Sequence, residues 1–136
     1  MPKAYLDSCV VIYLIQGPES LSSAVRTALR AQGQEPLQFA ISDLTLLECR
    51  VLPLRENKDE LLAQFDDFFA SEEIEKTDLG SEAFALATEL RARYGTKTPD
   101  ALHLAAAILA GCSEFWTNDR RLRAATEGRL HLKVFT

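Results

Sequence analysis

Residues 98–111 read TPDALHLAAAILAG, a stretch that is apolar almost all the way round a helix and yet begins with an acid. Pro99 suits the first helical position, and Thr98 before it is predicted to be the N-cap. Asp100 then falls in the first turn, where free amides and the helix dipole favour a carboxylate. The alanines at 105–107 permit close contact with neighbours, so we expect this helix to be sandwiched inside the domain and its acid to lie at the edge of a sheet.

Short β-like runs alternate with helical stretches along the rest of the chain. Strands are predicted at KAYLD, LQFAIS, EEIEKT, SEFWT and HLKVFT, the second of them after the turn-prone QGQEP. Helices are predicted at residues 8–15, 20–32, 43–52, 58–70, 81–94, 99–110 and 120–125. This alternation indicates an α/β fold with a mainly parallel sheet covered by helices on both faces, and ligands collect at the carboxyl ends of such strands.

The composition is that of a globular protein, with 47% hydrophobic and 26% charged residues in a chain of 136. No repeat or linker is visible, so we treat residues 1–136 as a single domain. No apolar run reaches the roughly 18 residues of a membrane-spanning helix and no signal-peptide pattern is present, which predicts a cytoplasmic protein without a membrane partner. Three widely separated cysteines suggest neither a disulfide framework nor a structural zinc site.

Charge is distributed unevenly along the sequence. The net charge of −5 argues against a protein that simply coats nucleic acid, because phosphate binding uses clustered basic side chains. Acids predominate before residue 90, whereas basic residues gather after it at Arg91, Arg93, Lys97, Arg120, Arg121 and Arg123. Both a solvated surface and a functional surface are compatible with this cluster.

Glu48 interrupts an apolar pattern. In a helix capped by Ser42, Leu44, Leu47 and Val51 share one stripe with Glu48, which predicts a carboxylate on a buried face. A buried carboxylate must be protonated, find a basic partner or bind a cation. An alternative is that it reaches outward or pairs with an arginine such as Arg50 or Arg55.

Two more acids follow predicted strands. Asp7 comes directly after AYL, and Asp119 comes just past EFWT. Each is also a plausible helix cap. In a parallel sheet, however, Asp7, Glu48, Asp100 and Asp119 could converge on one cleft, where a hard cation such as Mg²⁺ or Mn²⁺ would offset their repulsion. That chemistry suits phosphodiester hydrolysis, with either one or two ions.

Four stretches together resemble the acidic motifs of the PIN-domain nucleases: YLDSCVVIYLI, ISDLTLLEC, TPDALHLAAA and FWTNDRRL. Their order and spacing resemble in particular the short VapC-type toxins of toxin–antitoxin systems, and the similarity covers residues 5–135. The resemblance implies a three-layer α/β/α domain whose parallel sheet has the strand order 3-2-1-4-5. It also implies a Mg²⁺- or Mn²⁺-dependent endoribonuclease with an RNA substrate and a cognate antitoxin protein as partners.

The resemblance assigns roles to individual residues. The acids that match the family's catalytic and metal-binding set are Asp7, Glu48, Asp100 and Asp119. The polar residues that match groups supporting the metal or orienting phosphate are Ser8, Thr117 and Asn118. The basic residues that we consider for RNA contact are Arg120, Arg121 and Arg123. His103 lies on the face of Asp100 but is interpreted as packed or hydrogen-bonded rather than catalytic, and a homodimer stays open.

Two other functions are considered. A phosphoacceptor receiver-like domain also combines a parallel sheet with an acidic cleft, and could use Thr117 and Lys133 as switch residues; it would, however, need an adjacent acid pair after the first strand. A catalytically silent PIN-like binding module would instead receive an arginine of a protein partner in the acidic pocket.

Overall fold

The computed structural model describes residues 2–30 and 37–136. The strands of the described part are β1 Lys3–Leu6, β2 Gln38–Ile41, β3 Ile74–Lys76, β4 Glu114–Thr117 and β5 His131–Val134. The helices are α1 Ser8–Gln16, α2 Glu19–Arg30, α3 Asp43–Arg55, α4 Asp59–Phe69, α5 Ser81–Tyr94, α6 Thr98–Leu109 and α7 Arg123–Thr126, the last preceded by a 3-10 turn at Arg120–Leu122. Each predicted element is present, although the turn QGQEP and the last two residues of the helix predicted at 20–32 lie outside the described residues.

The five strands form one parallel sheet in the order β3-β2-β1-β4-β5, as the resemblance implied. The chain crosses from β1 to β2 and then outward to β3 before it returns to β4 on the other side of β1. Leu6 therefore pairs in register with Trp116, and the amide of Asp7 donates to the carbonyl of Trp116 at 3.0 Å. The carboxyl ends of β1 and β4 thus lie side by side, which is the topological switch point of the sheet.

Alternation along the strands divides the core into two apolar layers. Leu6 and Trp116 face one layer, which is covered by α1, α2 and α4, whereas Tyr5 and Phe115 face the other, which is covered by α5 and α6. Residues 101–107 of α6 are all buried. The expectation that this helix is sandwiched inside the domain is confirmed.

The N-terminus of α6 differs by one position from the prediction. Lys97 is the N-cap and Thr98 is already helical, so the prediction of Thr98 as the N-cap is wrong. Lys97 has extended backbone angles, which leaves Pro99 within the first turn, where its missing N–H costs nothing. Asp100 lies in the first turn as predicted.

The buried face of α3 differs from the predicted one. Leu47 and Val51 are 61% and 45% exposed, and the helix packs instead through Thr45, Cys49 and Pro53. Apolar residues occur on every side of α3, so periodicity alone could not choose the face, and contacts with α1 and α4 decide it. The helix also continues through Pro53 to Arg55, three residues beyond the predicted end.

The three cysteines are unpaired, and Cys49 and Cys112 are buried. Burial raises the pKa of the Cys112 thiol to about 11 and that of the Cys9 thiol to about 12. In the part of the chain that the structure describes, no helix combines the length and the apolar character needed to cross a membrane.

Candidate active site

Asp7 lies at the switch point of the sheet and is buried. It caps α1, because its Oδ1 accepts from the Ser8 amide at 2.8 Å. Its Oδ2 accepts from the Thr117 hydroxyl at 2.8 Å, and that hydroxyl in turn accepts from the Asp119 amide at 3.3 Å. The residues that follow β1 and β4 are therefore linked through one carboxylate.

Glu48 reaches the same place from α3. Its Oε1 lies 2.6 Å from Nε2 of His103 and accepts from the Ser8 hydroxyl at 3.0 Å. Burial acts to raise the pKa of Glu48, but the hydrogen bonds and charge of His103 outweigh it and hold the pKa below its usual value. The basic partner is thus a histidine rather than Arg50, which pairs with Asp66 at 3.0 Å.

His103 joins the acidic site from α6, three residues after Asp100. It is packed and hydrogen-bonded as expected, but its contacts with Asp7 and Glu48 also make it part of the site, which the sequence pattern does not predict. Its Nε2 lies 3.6 Å from Oδ1 of Asp7 as well as beside Glu48, and its Nδ1 lies 2.7 Å from the Tyr5 hydroxyl. Two spacings in the sequence are consistent with this contact. Tyr5 and Asp7 are two residues apart in extended backbone at the end of β1 and so share a side of the chain, and Asp100 and His103 share a helix face.

Asp100 and Asp119 line a common cavity of about 140 Å³ at this edge. Burial raises the pKa of Asp100, and the negative charges of Asp7, Asp119 and Glu48 raise it further, against a smaller opposing effect of His103. The pKa of Asp119 is lowered, chiefly by the hydrogen bond from the Arg121 side chain. The four acids predicted from the sequence therefore interact electrostatically.

The remaining predicted residues fall into two groups. Ser8 and Thr117 hydrogen-bond to carboxylates of the site, whereas the Asn118 amide donates to the Tyr13 hydroxyl at 2.9 Å. Of the three arginines, Arg121 contacts Asp119, and Arg120 and Arg123 are exposed beside it without contacting a carboxylate of the site.

One group of ligand atoms is close enough to share a cation. Oxygens of Asp7 and Glu48 and a nitrogen of His103 all lie within 4.8 Å of one another. Asp100 and Asp119 are not members of this group, although the structure describes both. Two carboxylates that each keep one oxygen in reach of a common point form a donor set that suits a hard divalent cation.

Known proteins resemble this chain in sequence pattern and in fold. The family model described as PIN domain matches residues 4–128. No curated protein matches the chain. Among solved structures, VapBC2 from Rickettsia felis, bound to a DNA fragment from its promoter, is similar to this chain with a TM-score of 0.74 and 18% sequence identity. The alignment covers 98% of this chain and 99% of that one.

Two further structures are similar. VapC20 from Mycobacterium tuberculosis, a sarcin-ricin loop cleaving toxin, has a TM-score of 0.72 at 17% identity, with 96% of this chain covering 98% of that one. A toxin–antitoxin complex from Klebsiella pneumoniae has a TM-score of 0.68 at 21% identity, with 96% of each chain covered. At these identities the likeness establishes the fold.

Proposed function

This chain belongs to the PIN-domain family, and we propose that it is a metal-dependent endoribonuclease that serves as the toxin of a toxin–antitoxin pair. The observation that carries the proposal is the convergence of acids from β1, α3, α6 and the segment after β4. Burial and the neighbouring negative charges raise the pKa of Asp100, and a cation held among the acids would offset that repulsion. A single-domain nuclease that spans residues 1–136 accounts for the whole site.

The donor set fits Mg²⁺ or Mn²⁺. Asp7 and Glu48 would hold the ion, and Asp100 and Asp119 would complete its environment across the cavity that they line. When bound, such an ion polarises a phosphoryl oxygen and makes water a better nucleophile at neutral pH. We assign the catalytic and metal-binding roles to these four acids together.

Other residues orient the carboxylates or meet the substrate. Ser8 and Thr117 each donate a hydrogen bond to a carboxylate, which limits the rotamers that Glu48 and Asp7 can adopt. Arg120, Arg121 and Arg123 supply positive charge beside the acids, where the phosphates of RNA would approach. Asn118 is exposed at the same rim and donates one amide N–H to the Tyr13 hydroxyl, and its second N–H would orient phosphate.

The partners that we propose are RNA and an antitoxin protein. One of the similar structures is described as a toxin–antitoxin complex and another as a sarcin-ricin loop cleaving toxin, which supports this choice. A homodimer is proposed as well, because Leu47, Val51 and Leu54 leave an apolar stripe on α3 exposed. We place this activity in the cytoplasm, where RNA and a partner made by the same cell are accessible.

The test is cleavage of a panel of structured RNAs with Mn²⁺ and with a chelator. Asp7→Asn and Asp100→Asn are expected to lose activity by 100-fold or more, on the order of removing one essential group of a catalytic set. Asp67→Asn, which neutralises an exposed acid of α4, is the matched control and should cleave like the wild type. Wild-type cleavage by the Asp7 and Asp100 variants would refute the assignment.

The silent binding module is the second candidate, and one contact favours it. Arg121 places its guanidinium against both oxygens of Asp119, so the acidic edge accepts an arginine. Calorimetric titration with Mn²⁺ separates the two functions, since a silent module would bind no ion. A receiver-like domain is not favoured, because the chain belongs to another family and Lys133 lies over the Trp116 ring at 5.7 Å.

A further inference from the structure

Two polar side chains are buried inside the apolar layer beneath the acids. Tyr5 is 0% exposed and belongs to the apolar cluster of the sheet and α6, and His103 of α6 is 1% exposed beside it. A buried hydroxyl or imidazole is costly unless its hydrogen bonds are made. The hydrogen-bond partners of Tyr5 and His103 therefore indicate the role of these two residues.

The partners form a continuous chain from the core to the acidic site. The Ser42 hydroxyl lies 2.7 Å from the Tyr5 hydroxyl, which lies 2.7 Å from Nδ1 of His103. Nε2 of the same ring lies 2.6 Å from Oε1 of Glu48. Three elements, β1, α6 and the N-terminus of α3, are thus connected by side chains alone.

The proton positions follow from chemistry. The Glu48 carboxylate accepts hydrogen bonds and has none to donate, so Nε2 of His103 carries the proton that joins them. The other ring nitrogen, Nδ1, is held by the Tyr5 hydroxyl, which donates to a neutral ring and accepts from a charged one. The Ser42 hydroxyl completes the chain at 2.7 Å from the Tyr5 hydroxyl. In both charge states of the ring, Nε2 donates to Glu48.

Glu48 uses one of its oxygens for this purpose. Both His103 and Ser8 donate to Oε1, and no residue among those described hydrogen-bonds to Oε2. One oxygen thus anchors the side chain, which leaves the other for a ligand. Hydrogen bonds of this kind, one step away from a metal, orient ligating groups and set their basicity.

We propose that Tyr5 and His103 are positioning residues of the nuclease site: the Tyr5 hydroxyl fixes the imidazole, and the imidazole Nε2–H holds Glu48 so that its second oxygen is available to the cation. This inference rests on the proposed function. It assigns His103 to the anchoring of a ligand and not to the ligand shell itself. Ser42 acts at the far end of the same chain of hydrogen bonds.

The first experiment reads the imidazole directly. Proton–nitrogen correlation spectra of protein with labelled histidine report which ring nitrogen is protonated, and the exposed His131 serves as an internal reference. We expect His103 to carry its proton on Nε2 before and after Mg²⁺ is added. A proton on Nδ1 alone, or loss of the Nε2 proton upon addition of Mg²⁺, would overturn the proposal and make His103 a ligand.

The second experiment uses variants. Tyr5→Phe and His103→Leu should each weaken Mn²⁺ binding by about 10- to 100-fold and lower kcat to a similar extent, with KM for RNA little changed. His103→Gln keeps an N–H near the position of Nε2 and should recover part of both losses. Wild-type Mn²⁺ affinity in Tyr5→Phe would contradict the proposal.

Thr126→Val is the matched control, because it removes a buried hydroxyl that donates to the Arg123 carbonyl away from the acids. It should bind Mn²⁺ like the wild type. The spectra and the titrations need no RNA, so they test the positioning role even if the protein cleaves none. Absence of cleavage together with the expected spectra would refute the nuclease alone.

Discussion

Asp119 has its charge matched by a residue two positions along the chain. Nε of Arg121 lies 2.9 Å from Oδ1 of Asp119, and Nη2 lies 3.0 Å from Oδ2. The guanidinium is largely exposed, so the pair contributes little to stability. The pair occupies both oxygens of Asp119, which the proposed function assigns to the surroundings of the cation, and the same proposal places this guanidinium beside the phosphates of RNA.

Replacement of Arg121 should therefore change two affinities in opposite directions. In Arg121→Gln we expect Mn²⁺ to bind about two- to fivefold more tightly, because a competitor and a positive charge leave the site. The KM for RNA should rise, because a phosphate contact is lost. Calorimetry and steady-state kinetics at fixed salt measure the two effects, with the exposed Arg129→Gln as control. A parallel fall or rise of both affinities would contradict this account.

The sequence predicts where the four acids lie and, through the resemblance, that Ser8 and Thr117 support them, but it does not predict the partner of Glu48. Asp7 and Asp119 were recognised because each follows a strand, and Asp100 because it begins an apolar helix. The sequence offers Arg50 and Arg55 as partners for Glu48, whereas the partner in the structure is His103, 55 residues away along the chain. A contact of that kind depends on how α3 and α6 cross, which no local pattern encodes.

At the scale of the element, α3 and α6 differ in how well the sequence predicts them. The helix α6 is apolar on all sides and is buried on all sides, so no choice of face was needed. In α3 the apolar residues also occur all round, but only one face can pack on the sheet layer. Leu47 and Val51 were expected on that face, and they are exposed instead. The position of α3 within the fold, rather than the periodicity of its apolar residues, determines which face is buried.

The exposed stripe of α3 leads to a prediction about association. If two copies pair through it, Leu47→Gln with Leu54→Gln should convert a dimer into a monomer in sedimentation experiments. The stability of the fold should change by less than about 0.5 kcal/mol per substitution, because both side chains are more than half exposed. Phe84→Gln, on the exposed surface of α5, is the control. A wild-type protein that sediments as a monomer would contradict the homodimer.

At the scale of the whole molecule, the strand order brings the site together. With β1 at the centre, its carboxyl end is next to that of β4, and the helices after β2 and before β4 both begin at this edge. The alternation of strands and helices indicated a parallel sheet, but it did not give the order of the strands. That order came from the resemblance of four motifs to a family and is confirmed by the structure.

The repulsion among the acids should make the metal-free wild type less stable than a variant that lacks one of the charges. Burial and neighbouring charges raise the pKa of Asp100, so its ionised form costs stability above the unfolded pKa of about 3.9. Without metal at neutral pH, Asp100→Asn should therefore unfold a few degrees above the wild type in calorimetry. The difference should vanish as the pH falls below about 3.9, where Asp100 is protonated in both states.

With a cation bound, the wild type should be more stable than Asp100→Asn. At about 100 times the dissociation constant, Mn²⁺ is expected to stabilise the wild type by about 2.7 kcal/mol, whereas the variant should respond much less. Asp67→Asn, the exposed acid of α4, should respond like the wild type. If Mn²⁺ stabilised the wild type and Asp100→Asn by the same amount, Asp100 would not be part of the metal site.

The unpaired cysteines bear on how this protein can be handled. Cys49 and Cys112 are buried, and burial raises the pKa of Cys112 to about 11 and that of Cys9 to about 12, so very little thiolate exists at neutral pH. Maleimide dyes react with the thiolate. One cysteine introduced on the surface of α2 or α4 could thus be labelled selectively with a fluorophore, leaving the native sequence otherwise intact for single-molecule work.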